Sequence, residues 1–123
     1  MSTATMAHRA YASTAETVRT PRSVEFQVIA RITHRLKSAI QSKDRRKLIE
    51  AMHENRLLWN TLAADVASPQ NGLPDDLKAR IFYLAEFTVQ HTRKVLKNED
   101  NAVALLEINA AILGGLQHEG KVT

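Results

Sequence analysis

Cysteine is absent from all 123 residues, which rules out disulfides and thiol chemistry. That absence fits a reducing compartment, and the cytoplasm is the expected location. No apolar run approaches the roughly 18–20 residues needed to span a bilayer. The opening stretch MSTATMAHRAYASTAETV is small and polar, without the central apolar block of a secretory signal. Catalytic constellations are lacking too. The five histidines, His8, His34, His53, His91 and His118, never fall into a metal-binding spacing such as HExxH. There is no glycine-rich phosphate loop and no GxSxG elbow. The adjacent acids Asp75-Asp76 and Glu99-Asp100 stand at helix starts, where capping and the helix dipole explain them. No catalytic residue, metal or cofactor is therefore expected, and the chain reads as a binder rather than an enzyme.

Four glycines and three prolines occur, and they fall where helices begin or end. Thr20-Pro21 reads as an N-cap followed by proline at the first helical position, where no amide donor is needed. Apolar residues at Phe26, Ile29, Ile32, Leu36 and Ile40 then repeat with a helical period as far as about Ser42. Ser42-Lys43-Asp44 supplies a break and a new cap, and a second helix runs from about Asp44 to Ala67. Ser68-Pro69-Gln70-Asn71-Gly72 is the clearest loop. Pro74 restarts the chain into a third helix that reaches about Lys97. A fourth runs from about Asn101 to Leu113 and closes near Gly114-Gly115. No alternating strand pattern is present. The fold class is all-α: one compact bundle-like domain of about four principal helices, with a short N-terminal helix allowed around Tyr11, Ala15 and Val18. Residues 1–20 read as flexible or partly helical, 21–116 as the helical domain, and 117–123 as a mobile tail.

The hydrophobic fraction of 44% suits a globular chain. Helix two places Leu48, Met52, Asn55, Trp59, Leu62 and Val66 on one seam; helix three does the same with Leu77, Ile81, Leu84, Thr88, His91 and Val95. Trp59, the only tryptophan, is thus in line with the core. Asn55 and His91 interrupt these seams and need hydrogen-bond partners, since an unpaired buried polar group costs about 1–3 kcal/mol. They either pair inside the bundle or line a groove. Second apolar stripes also occur: Phe82, Ala85, Val89 and Leu96 on helix three, and on helix four both Val103-Leu106-Ala110-Leu113 and Leu105-Ile108-Ile112-Leu116. Helices apolar over so wide an arc are either central or carry a surface for another helix, a homodimer being one form of that.

The net charge of +4 is unevenly spread. Residues 31–47 carry seven Lys or Arg against one acid, Asp44. Such a cluster can attract nucleic acid or an acidic protein, or it can be a solvated helical corner.

Several stretches, taken in order, resemble the FlaF family of flagellar biosynthesis regulators. They begin near Ala10-Tyr11 and continue through Pro21-Arg22 and Glu25. The strongest is Asn55-Arg56-Leu57-Leu58-Trp59, followed by Leu62 and Asp65. Asn71, Leu73-Pro74, Ile81, Leu84 and Val89-Gln90-His91-Thr92 follow, and then Leu105, Ile108-Asn109, Ile112 and Gly115-Leu116. Two departures are the nine residues ahead of Ala10, which read as an extension, and Leu113 in place of an expected methionine, a volume-similar swap.

The resemblance implies a protein needed for flagellin synthesis and filament assembly. It implies flagellin as the partner, held by a chaperone or export factor, and action opposite FlbT, which restrains flagellin translation. On this reading Phe82, Val89, Leu105, Ile108 and Ile112 provide apolar contact, with Arg56 and Tyr83 as polar edges. Asn55, Trp59, His91 and Asn109 shape the groove from beneath. The alternative is direct RNA binding through Arg31, Arg35, Lys37, Arg45, Arg46 and Lys47.

Overall fold

Local signals place the helix ends. Helix α1 spans Pro21–Ser42 and α2 spans Arg45–Ala67, so only two residues join them. Lys43 makes the turn in the left-handed region at φ 59°, at a steric cost that glycine would avoid. Asp44 then caps α2, its carboxylate accepting from the backbone N–H groups of Arg46 (3.0 Å) and Lys47 (3.2 Å). So tight a connection forces α1 and α2 antiparallel. The computed structural model describes the backbone of residues 21–122 and the side chains of residues 26–115. The N-terminal segment 1–20, with its Thr20 cap, lies outside the described residues.

The loop after α2 is built from its own polar side chains. Ser68 Oγ accepts from the Gln70 N–H (3.2 Å) and Asn71 Oδ1 from the Leu73 N–H (2.9 Å). Helix α3 spans Asp75–Leu96 with two carboxylates in its first turn and Arg93 and Lys94 in its last. It ends in a Schellman motif: Glu99 N–H reaches the Lys94 carbonyl (2.8 Å) and Asn98 N–H the Val95 carbonyl (3.0 Å). Asn98, at φ 62°, takes the left-handed position. Helix α4 spans Val103–Val122.

The end of α4 differs from the expected stop at Gly114-Gly115 followed by a mobile tail: residues 117–122 are helical in backbone. Glycine ends helices chiefly because it tolerates positive φ, and no glycine here has one. Inside a helix it costs only about 1 kcal/mol relative to alanine.

Neighbouring helices pack as α1 on α2, α2 on α3 and α1 on α4, with α3 and α4 meeting most lightly. Helices α2 and α4 stand across the diagonal. This is the expected all-α bundle, with no strand among the described residues. Its core has two apolar clusters. One holds Ile29, Ile32, Leu58, Trp59, Leu62 and Ala85; the other holds Leu36, Ala39, Ala51, Met52, Val95, Ala102 and Leu105. In α1, α2 and α3 a buried polar residue falls between the members of the two clusters: Thr33, Asn55 and Thr88. Helix α4 adds Asn109, between Leu105 of the second cluster and Ile112 packed against the first. A polar layer therefore crosses the middle of the bundle.

Candidate functional site

Asn109 is the hub of that layer. Trp59 Nε1 donates to Asn109 Oδ1 (2.9 Å), while Asn109 Nδ2 donates to Asn55 Oδ1 (2.8 Å) and to Thr33 Oγ1 (3.1 Å). Trp59, Asn55 and Asn109 are all 0% exposed. In so dry a setting each bond matters more, because the alternative is an orphaned polar group. Among the described residues, Asn55 Nδ2 and the hydroxyls of Thr88 and Thr92 have no hydrogen-bond partner. Lower in α3, His91 stacks on Phe87 with ring centroids 5.3 Å apart. Its Nε2 donates to the Asn101 carbonyl (2.8 Å), tying α3 to the turn before α4. Asn55, Trp59, His91 and Asn109 are thus interior residues that set helix register. None of them is open to a partner.

The residues expected to make partner contacts do not form one surface. Leu105 is fully enclosed in the second cluster and is a core residue, which corrects its assignment to a contact face. Ile108 and Ile112 are half-buried and pack against the cluster around Trp59, on the helix diagonal to α2. Arg56 is half-buried, its Nη2 donating to His53 Nδ1 (3.2 Å). Phe82 at 44% exposure and Tyr83 at 67% stand out from α3.

What the structure does bring together is a groove of 340 Å³ between α2 and α3. Asn60 and Ala63 form its α2 wall; Phe82, Ala85, Glu86, Val89, Gln90 and Arg93 form the α3 wall. Small side chains at Ala63 and Ala85 leave room in it, and Phe82 and Val89 supply apolar surface. Polar groups edge it. Such a trough can take the apolar face of a helix. Asn60, Ala63 and Arg93 were not legible as groove residues, because α2's contribution depends on how the two helices are rotated against each other.

A second depression, of 650 Å³, lies between α1 and α2. Its walls carry His34, Arg35, Lys47, His53, Glu50 and Glu54, and the Arg35–Glu54 ion pair (2.6 Å) is among them. Charges of both signs make it a poor bed for an apolar helix. Among the described residues no group of three His, Asp or Glu gathers as a metal site would require.

The basic corner is partly committed to holding the fold. Arg45 donates to the Leu96 carbonyl (2.9 Å) and to Asn98 Oδ1 (3.0 Å), so it caps the C-terminal end of α3. Arg46 stands 3.9 Å from Glu50 in an exposed pair that contributes little. Charge reversal at Arg45 consequently tests stability as well as any polyanion contact. Arg45→Met is expected to lower stability by about 0.5–1 kcal/mol, read as a lower urea midpoint with an unchanged slope.

The family described as flagellar protein FlaF matches residues 7–116, beginning ahead of Ala10 and covering the whole groove. The chain belongs to the FlaF family. Neither a curated protein nor a solved structure matches it significantly. Membership makes this a flagellum-related protein. In the structure, Asn55, Trp59 and Asn109, which belong to two segments of the family resemblance, share one buried hydrogen-bond network. No helix among the described residues is long and apolar enough to cross a membrane.

Proposed function

We propose that this FlaF-family chain supports flagellin synthesis and filament assembly by binding flagellin in the cytoplasm as a chaperone and export factor. It acts as a binder and not as a catalyst. The observation that carries the reading is the open α2–α3 groove, with exposed Phe82 and half-buried Val89 on its α3 wall.

Flagellin's terminal segments are amphipathic and polymerise in the filament. An apolar stripe of that kind needs cover until secretion, or it will associate wrongly. A helix laid in the groove would receive that cover, with Glu86, Gln90 and Arg93 at its polar edge. Bound flagellin then competes with polymerisation. Through the bound or free form the protein can oppose FlbT and so couple export to translation.

Titration of purified flagellin into the protein at low and high salt tests this reading. Burial of apolar area predicts an affinity that changes little with salt. Direct recognition of flagellin messenger through exposed Arg31, Lys37, Arg46 and Lys47 predicts instead no flagellin complex and an RNA affinity that falls steeply with salt, because phosphate contacts release counterions.

A further inference from the structure

We propose that the α3 wall of the groove is self-complementary, so that a second copy of this chain docks on it with the two α3 helices antiparallel. Phe82, Val89 and Leu96 stand seven residues apart and therefore lie along one line of α3. Phe82 and Leu96 are 44% and 41% exposed, unusual for large apolar side chains, and Val89 is half-buried. Beside this line stand Glu86 and Arg93, also seven apart, and separated by about 10.5 Å along the helix axis. Among the described residues neither has an ion-pair or side-chain hydrogen-bond partner in its own chain.

A two-fold axis at the level of Val89 and Gln90 turns this pattern onto itself. Glu86 then faces the partner's Arg93, and Arg93 faces the partner's Glu86. Phe82 meets the end of the stripe that carries the partner's Leu96, and Val89 lies at the centre. An isologous contact requires this kind of self-match, apolar on apolar and charge on opposite charge. Two like charges at these positions, or an acid and a base on different lines of the helix, would not produce it. Asn60 and Ala63 at the groove's α2 edge leave room for the incoming helix. The second copy would cover the surface assigned to flagellin, so self-association and flagellin binding are mutually exclusive. The free chain stores the groove closed.

Sedimentation velocity on the full chain, without flagellin, over a concentration series tests the pairing. The wild type is expected to form a dimer. Glu86→Arg and Arg93→Glu each place like charges together twice, and each should raise the dissociation constant at least about tenfold. The Glu86→Arg/Arg93→Glu double variant should restore the dimer, and a mixture of the two single variants should form the heterodimer. Circular dichroism would show all three variants folded, since both positions are exposed. A wild type that stays monomeric throughout overturns the proposal, as does a dimer indifferent to the swaps or one that the double variant fails to restore. A monomer whose groove is covered only on addition of purified flagellin makes flagellin the sole occupant and also overturns it. Swap-dependent dimerisation in a protein that ignores flagellin would support the dimer and remove the flagellin reading alone.

Discussion

Asn109→Ala is expected to destabilise the bundle by about 3–5 kcal/mol, since it orphans three buried partners at roughly 1–3 kcal/mol each and relaxation recovers part of that. The partners are Trp59 Nε1, Asn55 Oδ1 and Thr33 Oγ1, drawn from two other helices. A single domain of this size has about 5–15 kcal/mol in total, so much of the stability would go. For a domain near 100 residues the melting temperature should fall by roughly 15–30 °C. Trp59→Phe is the graded control. It removes one donor, leaves one orphaned acceptor, and should cost about 1–3 kcal/mol. Urea unfolding reads both, and the solitary, fully buried Trp59 reports the transition by fluorescence in the Asn109 variant. A loss below about 1 kcal/mol for Asn109→Ala would mean that the network does not form.

The second large effect is on binding. Phe82→Glu puts a charge on the apolar wall of the groove at a position 44% exposed in the free chain. Stability should change by no more than about 0.5 kcal/mol, as for other surface substitutions. Flagellin affinity should fall at least about thirty-fold, the loss of roughly 2 kcal/mol that marks a hot-spot residue. Titration calorimetry beside a thermal melt separates the two quantities. An unchanged affinity would show that flagellin uses another face. A collapse in stability would show that Phe82 is part of the core.

Much of the fold was legible because its helix ends are written in side-chain chemistry. Pro21 starts α1, Asp44 caps α2, and Ser68 to Gly72 can only be a turn. The seams announced Met52, Asn55, Trp59, Leu62 and Val66 on α2 and Thr88, His91 and Val95 on α3 as buried. They did not announce Ala51, Leu58, Ala85 or Thr92, while Leu48, Leu77, Ile81 and Leu84 are only half-buried. Where the reading failed, the deciding term was tertiary. Helix α4 is apolar nearly all round, so periodicity could not choose between Leu105, which is buried, and Val103, which is exposed. Gly114-Gly115 resembled a stop, yet both residues hold helical dihedrals.

The candidate site was half visible. Phe82 and Val89 stood out as a second stripe on α3. Ile108 and Ile112 looked similar, but they face the Trp59 cluster from the opposite corner of the bundle. No spacing rule could pair Trp59 with Asn109, fifty residues apart in sequence. Arg45 likewise read as one cation in a cluster, because its task depends on the start of α2 meeting the end of α3.

Amide hydrogen exchange of the chain, alone at a dilution where it is monomeric and then saturated with purified flagellin, tests the central claim most directly. The account predicts new protection along the facing stretches of α2 and α3, around residues 60–63 and 82–93, with α1 little changed. Protection confined to the basic corner at residues 31–47, or none anywhere, would contradict it.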